Sequence, residues 1–152
     1  MYAKNLELEL YNKALFQSNY AVLAGGGMVL YKTTILFQND LFMEDNKGYK
    51  TGGGIHSHKS TVHFHGSTTQ FTNCVSRVNG GGFFGINSSY YFSSGTVHLK
   101  NNSAFCLSGG IAGYGINLIM NVKEIHFRNN TAQAGGAIHA GQVQWTHMAK
   151  SS

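Results

Sequence analysis

The chain has 152 residues, a length that fits one domain, and 42% of them are apolar, so a buried core can form. Only 11% are charged, and the net charge of +5 is spread along the chain without a run of Lys or Arg. We therefore predict no nucleic-acid partner, because such proteins need a clustered basic face. No membrane-spanning segment is predicted either, because the longest apolar stretch, residues 21–30, is short and interrupted by glycines.

The two ends of the chain already alternate between polar and apolar residues, as strands do. Residues 6–10 alternate Leu with Glu, and residues 142–148 alternate again. No basic segment followed by an apolar run is found in residues 1–5, so no signal peptide is predicted there. Neither end carries a polar cap, which a solenoid needs to cover its open core, so we expect a fragment of a longer protein.

Glycine clusters recur along the chain at a nearly constant interval. Their first residues, separated by 26 to 29 positions, are Gly25, Gly52, Gly80, Gly109 and Gly135. A period of this length is typical of solenoids and related repeat folds. Between the clusters, apolar and polar residues alternate in residues 61–65, 96–100 and 124–128. This period of two indicates strands rather than helices.

We therefore predict an all-β fold, in which residues 1–152 form one segment of a right-handed parallel β-helix. It would have about five coils of 26–29 residues, each with three short strands and three turns, stacked about 4.8 Å apart. Glycine would provide positive φ at tight turns, and Asn at equivalent turns would stack as a ladder. Proline is absent, as expected where nearly every strand needs its N–H group.

An aromatic or large apolar residue followed by Asn precedes each glycine cluster. The first residues of these motifs are Phe16, Phe37, Phe71, Leu99 and Phe127, and the Asn residues are Asn19, Asn39, Asn73, Asn102 and Asn130. The second motif lies farther from its glycine cluster than the others do. Residues 43–50 separate the two, and they are polar and turn-rich, so we predict a loop that projects from one coil.

Phe127-Arg-Asn-Asn130 and Gly135-Gly-Ala-Ile138 resemble the FxxN and GGAI motifs of the chlamydial polymorphic outer membrane protein repeats. The resemblance extends over about residues 6–141, although the other glycine clusters depart from GGAI and Leu99 replaces the aromatic residue. It implies a right-handed β-helix of the pectin-lyase-like superfamily. It also implies a surface-exposed passenger segment with an adhesive or structural role.

Histidine pairs raise the question of a metal site. His56 and His58 lie two residues apart on one predicted strand face, and His63 and His65 do so on the next strand. Such a spacing can chelate, but no Cys or carboxylate completes a zinc set. We predict no metal and no cofactor, and His56 and His58 are the candidate ligands if a metal does bind.

A second group of polar residues recurs at steps of 28. Gln70, His98 and His126 form one outward stripe, and Lys100 and Arg128 stack beside it. Like charges in register are mildly destabilising. The stripe is therefore interpreted either as tolerated surface or as a patch for an anionic partner, with Lys100 and Arg128 as contact residues.

The segment 82–92 is rich in aromatic residues, and together with residues 43–50 it is the predicted contact surface. Tyr90 and Tyr91 are its candidate contacts, because exposed aromatics anchor glycans or proteins. The alternative is that about half of the large residues of this segment face the core. Asn87 begins an Asn-Ser-Ser sequon and is the candidate glycosylation site.

Two cysteines lie in successive coils at different distances from their glycine clusters. Cys74 precedes its glycine by six residues and Cys106 by three. Three strand residues correspond to roughly 10 Å, which is too far for a disulfide unless a bulge intervenes. Two free cysteines are therefore expected, although a bond stays open.

Catalysis is not predicted, because glycosidases need converging carboxylates and no two coils stack them. The acidic residues are Glu7, Glu9, Asp40, Glu44, Asp45 and Glu124. The predicted role is a structural or adhesive segment of a cell-surface or secreted repeat protein, located in the outer membrane in a bacterial source. Its partner would be a glycan or a protein, and open edges could support end-to-end self-association. The alternative is a pectin-lyase-like carbohydrate-active enzyme or a polysaccharide-binding module.

Overall fold

Short parallel strands separated by tight turns build the whole described chain. The computed structural model describes residues 1–93 and 95–147, and of residues 142–147 only the backbone. Within these ranges there are twenty strands and no helix. The strands belong to four sheets, which we name A to D in the order in which the chain enters them.

Each sheet is a stack of equivalent strands from successive coils. Sheet A comprises β1 (Tyr2–Lys4), β5 (Met28–Tyr31), β9 (Ile55–His58), β13 (Phe83–Ile86), β16 (Ile111–Tyr114) and β19 (Ile138–His139). Sheet B comprises β2 (Glu7–Leu10), β6 (Thr34–Phe37), β10 (Thr61–Phe64), β14 (Ser89–Ser93), β17 (Asn117–Val122) and β20 (Gln142–His147). Sheet C comprises β3 (Ala14–Gln17), β7 (Leu41–Glu44), β11 (Thr68–Thr72), β15 (Thr96–Lys100) and β18 (Glu124–Arg128). Sheet D comprises the short strands β4 (Tyr20–Ala21), β8 (Lys47–Gly48) and β12 (Val75–Ser76).

The strand register follows the sequence period closely. Neighbouring strands pair in parallel with a nearly constant offset, as in Met28 with Ile55 and Phe83 with Ile111. The one exception among the described pairs is β17 with β20, where the offset is shorter because Asn117 pairs with Gln142. The predicted all-β parallel solenoid of about five coils is therefore confirmed. Sheet D adds a fourth short strand to the coil that the sequence did not indicate.

The core is a set of side-chain columns that run along the solenoid axis. Alternate residues of each strand point inward, so equivalent residues of successive coils contact one another. Phe37, Phe64 and Phe92 form one such column in sheet B, with ring centroids 5.6 Å and 4.3 Å apart. All three rings are buried, which makes each coil depend on its neighbours for the burial of its apolar face.

The prediction that residues 43–50 form a projecting loop is wrong. The structure places Met43 in register with Phe16 and Phe71, so Met43 and not Phe37 occupies the column of the FxxN motif. The remainder of the segment turns and forms β8, which pairs with β4 and β12. A buried methionine fills the space of an aromatic ring here. Residues 43–50 therefore form part of a regular coil and do not project as a contact loop.

The tight turn at each glycine cluster requires positive φ, which glycine adopts without steric cost. Gly25, Gly52, Gly80 and Gly135 have φ between 61° and 66°. Ser108 occupies the equivalent position in the fourth coil with φ of 32°, so Gly109 is not the register marker that the sequence suggested. Ser108 is buried, and its hydroxyl has no hydrogen-bond partner within the described residues.

Asparagine side chains connect successive coils at the corner after sheet C. The amide of Asn102 accepts a hydrogen bond from the Cys74 N–H (2.9 Å) and donates one to the Phe71 carbonyl (2.9 Å), both in the preceding coil. Asn46 and Asn130 make the same pair of contacts with their own preceding coils. The predicted Asn ladder is therefore present at Asn19, Asn102 and Asn130, whereas Asn46 and Cys74 occupy the steps that the sequence assigned to Asn39 and Asn73.

Cys74 occupies one of these steps, and its thiol takes over one contact of the missing amide. Its Sγ donates to the Met43 carbonyl at 3.4 Å, in the place where Asn Nδ2 donates elsewhere. Burial raises the pKa of this thiol to about 12, so it remains protonated at neutral pH. Cys74 and Cys106 are both free, as the sequence spacing indicates.

We predict that Ser108→Gly stabilises the fold by about 1 to 2 kcal/mol. The change removes a left-handed conformation that L-residues disfavour and a buried hydroxyl without a partner. Chemical denaturation would measure it. The matched control is Gly80→Ser in the same column, where an added Cβ meets the Phe83 carbonyl, and which should destabilise. A loss of stability in Ser108→Gly would contradict the assigned turn.

We predict that Asn102→Ala destabilises the fold by about 2 to 4 kcal/mol. Two buried backbone groups, the Cys74 N–H and the Phe71 carbonyl, lose their partner, at roughly 1–3 kcal/mol each. The control is Asn101→Gly, since Asn101 is the exposed neighbour with φ of 56°, which glycine also adopts. Equal melting temperatures for the two variants would argue against the ladder.

Candidate functional site

The outer face of sheet C brings together the polar stripe found in the sequence. Gln70, His98 and His126 are in register on β11, β15 and β18. Because residues alternate across a strand, they point away from the core, into which Phe71 and Leu99 point. The predicted stripe therefore exists as one continuous column.

A second outward column runs beside the first, two residues further along each strand. It contains Thr72, Lys100 and Arg128, again in register on successive coils. We name His98, Lys100, His126 and Arg128 the basic face. Sequence reasoning missed Thr72, although it precedes Lys100 by one full repeat, which was a usable signal.

A groove of about 580 Å³ lies over these columns. The residues that line it are Gln70, Thr72, His98, Lys100, Ile125, His126, Phe127 and Arg128. Its walls combine hydrogen-bonding and cationic side chains with strand β18, whose Ile125 and Phe127 side chains pack against the core. This volume is within the range of pockets that hold small organic ligands.

The two histidines of the basic face stack on each other. The rings of His98 and His126 are 5.0 Å apart at an angle of 10°. Burial lowers the pKa of His98, the neighbouring His126 lowers it further, and Glu124 opposes the shift. Glu124 also contacts His126, with 3.1 Å between its Oε2 and the ring Nε2.

Lys100 and Arg128 have no carboxylate partner among the described side chains, where His126–Glu124 is the sole ion pair. Both side chains are exposed. The parallel register places these two positive charges on adjacent strands, roughly 4.8 Å apart at the backbone. The face therefore carries an unneutralised pair of like charges.

The character of this sheet face changes along the solenoid axis. On the preceding coil the same two columns hold Phe42 and Glu44. The Lys13 ammonium group lies 4.3 Å from the centroid of the Phe42 ring. Gln70 donates to Glu44 at 3.5 Å. Within these two columns, the Lys and Arg side chains are those of Lys100 and Arg128, on the two coils that include β15 and β18.

The candidate metal ligands His56 and His58 are each engaged in other contacts. His56 Nδ1 lies 2.8 Å from the Thr51 hydroxyl, and its ring stacks on Phe84 at 5.8 Å. His58 stacks on Tyr31 at 5.0 Å. Within the described side chains, no group of three or more His, Cys, Asp or Glu residues is arranged to hold a metal ion.

Tyr90 and Tyr91 point in opposite directions. Tyr90 is fully buried, and its hydroxyl bonds to Ser57 inside the solenoid, so it cannot contact a partner. Gly85 leaves the space that this phenol occupies, since a Cβ there would meet the Tyr90 hydroxyl. Tyr91 lies on the outer face of sheet B and stacks on His63 at 4.7 Å. The predicted aromatic contact is thereby reduced to Tyr91.

Asn87 lies at the turn between β13 and β14 with an exposed side chain and φ of 48°. This position is accessible, and glycosylation there stays a prediction.

The acidic residues are dispersed over the surface. In the described strand pairs every Glu is in register with a residue that is not acidic: Glu7 with Thr34, for example, and Glu124 with Thr96. Asp40 accepts from the Thr68 N–H at 2.8 Å, and Asp45 accepts from the Asn73 amide at 3.0 Å. The arrangement provides anchoring contacts and brings no two register-paired carboxylates together.

Comparison with known proteins gives one match. The Chlamydia polymorphic membrane protein repeat matches residues 124–141. This stretch contains β18 and the Asn130 corner, and it confirms the resemblance at the repeat on which it rests. No curated protein and no solved structure matches the chain. In the part of the chain that the structure describes, there is no helix with the length and apolar character of a membrane span.

We predict that acid destabilises the fold through His56. Burial, with a smaller effect of His58, lowers its pKa from 6.5 to about 4. The unfolded chain therefore binds a proton that the folded chain excludes between these values, so stability falls as pH falls through this window. Lowering the pH from 7 to 5 should cost about 1 to 2 kcal/mol through this residue.

Urea unfolding at both pH values would measure this effect. The His56→Phe variant should lose that part of the pH dependence, because Phe can stack on Phe84 without titrating. His139→Phe, at an exposed position of the same column, should keep it. An unchanged pH dependence in His56→Phe would show that other groups are responsible.

Proposed function

We propose that this chain, part of which matches the Chlamydia polymorphic membrane protein repeat, is a segment of a cell-surface or secreted β-helix repeat protein. Its role would be structural or adhesive rather than catalytic. In a bacterial source, its location would be the outer membrane surface.

The observation that carries this proposal is the uninterrupted parallel stacking of about five coils. Sheets A, B and C each extend over at least five strands, and side-chain amides tie successive coils together at one corner. Such a rod has a fixed diameter and a regular rise, so it holds its outer side chains at defined distances from one another. This geometry suits the display of binding surfaces away from a cell.

The dispersed carboxylates support a role without catalysis. Glycosidases of the usual kind place two carboxyl groups about 5–9.5 Å apart across the bond that they cleave. The described Glu residues have neutral register partners on the neighbouring strands. Glu7 and Glu9 share one face of β2, where Glu9 accepts from the Tyr11 hydroxyl and the Gln38 amide. The outward side chains of Tyr91, Lys100 and Arg128 are the proposed contacts with a glycan or protein on another surface.

Surface labelling of intact source cells tests this location. A membrane-impermeant, amine-reactive biotin should label the native protein, because Lys59 and Lys100 are exposed on the rod. A cytosolic protein serves as the negative control and should react only after lysis. If the chain were labelled only in lysed cells, the proposal would have to be abandoned.

Incubation with polysaccharides tests the absence of catalysis. The purified chain should release no new reducing ends and no unsaturated uronates from pectin, alginate or hyaluronan. Release that disappears when Glu44 and Glu124 are replaced by Gln would establish an enzyme instead.

A further inference from the structure

We infer that the groove over sheet C binds an acidic polysaccharide, whose carboxylate or sulfate groups contact Lys100 and Arg128. This inference deepens the proposed function and rests on the surface location that it assigns. The contacting array consists of the four side chains of the basic face, with Gln70 and Thr72 beside them.

The first argument is the unneutralised charge. Lys100 and Arg128 are in register on adjacent strands, where like charges repel each other. Neither has a carboxylate partner among the described side chains, although Glu44 and Glu124 lie on the same sheet face. A ligand that places an anionic group against both side chains converts this repulsion into attraction.

The second argument is an unused hydrogen-bonding group. Thr72 lines the groove, and its hydroxyl is enclosed without a hydrogen-bond partner within the described residues. A buried hydroxyl without a partner is unfavourable. Rotation about the Thr72 Cα–Cβ bond turns this hydroxyl into the groove, where a sugar hydroxyl can donate to it and accept from it. Gln70, on the strand of Thr72, offers an amide for the same purpose.

The shape of the array favours a polymer over a small ion. The two columns are roughly 6.6 Å apart along each strand, and their residues repeat about every 4.8 Å from coil to coil. An inorganic anion would occupy only a fraction of the 580 Å³ groove.

The neighbouring acids argue against nucleic acid as the ligand. Glu44 lies on β7, two coils before Lys100, and Glu124 borders the basic face on β18 itself, so acidic side chains interrupt the positive surface on two sides. A nucleic acid needs a broad basic surface for its closely spaced phosphates. A polysaccharide with an anionic group on some of its sugars fits a narrow positive surface better.

Protonation of His98 makes binding stronger in acid. Several charged groups surround the stacked rings of His98 and His126. Glu124 lies on the same strand as His126, and Lys100 and Arg128 lie in the adjacent column. Glu44 contacts the neighbouring Gln70. Protonation adds positive charge within the groove. Because an anion stabilises the protonated His98 ring, its affinity should increase as the pH falls from 7.5 to 5.5.

Binding measurements on the purified chain test the inference. Fluorescently labelled polygalacturonate and dextran sulfate are the carboxylate and sulfate probes, and neutral dextran is the blank. At 0.1 M NaCl we expect saturable binding of at least one acidic probe and none of neutral dextran. The preferred probe identifies the anionic group. Absence of binding by both acidic probes at both pH values would overturn the inference.

Charge-neutralising variants locate the site. Lys100→Gln with Arg128→Gln should weaken binding at least tenfold. Lys32→Gln with Lys59→Gln is the matched control, because these lysines are also one coil apart, at the corner between sheets A and B. It should change binding less than twofold. Equal losses in the two double variants, or equally tight binding of single-stranded DNA, would mean unspecific charge attraction and overturn the site.

The histidine variant separates the pH response from the rest of the site. In His98→Gln, the affinity should no longer increase between pH 7.5 and pH 5.5, and the ratio of the two affinities is the readout. Failure to bind by a chain that is labelled on intact cells would remove this inference and leave the proposed function standing. Binding by a chain that is found only inside cells would remove the proposed surface function and leave the binding site standing.

Discussion

Parallel pairing between equivalent strands of successive coils is the constraint on which the rest of the structure depends. Because the offset is constant over nearly the whole chain, each side chain contacts its counterparts one coil before and one coil after. A residue type that is favourable in one coil is then favourable in the next, as the Phe37, Phe64 and Phe92 column illustrates. The same constraint places Lys100 beside Arg128 on the outer surface, so one register determines both the core and the candidate site.

The corners keep this register constant, because they allow little variation in backbone or length. Positive φ is needed at Gly25, Gly52 and their equivalents, and the Asn ladder uses both its donor and its acceptor in the preceding coil. Where the sequence departs from this pattern, the structure shows less favourable contacts. Ser108 has a buried hydroxyl without a described partner, and Cys74 replaces an amide with a weaker thiol contact.

Much of the fold was predictable, since strand alternation and glycine spacing are local signals. The outward stripe of Gln70, His98 and His126 was predictable for the same reason. The errors arose at positions where the volume of a side chain, or the space opposite it, matters more than the residue type. Met43 fills an aromatic position because only its bulk is required, and Tyr90 points inward because Gly85, on another sheet, leaves room for it. Such information lies in contacts between strands of different sheets or coils and not in the alternation within one strand. The Thr72 hydroxyl could not be recognised without knowing which groups are buried.

The constant offset between coils also has a genetic consequence. A coil enters and leaves each sheet at the same position as its neighbours, so the DNA that encodes one coil is an interchangeable unit. In-frame duplication of such a unit would insert one further step, with its core columns and corners continuous on both sides. Recombination between repeats can therefore lengthen or shorten the rod without a new folding problem. Outer residues such as those around Lys100 would then be copied together with the scaffold that positions them.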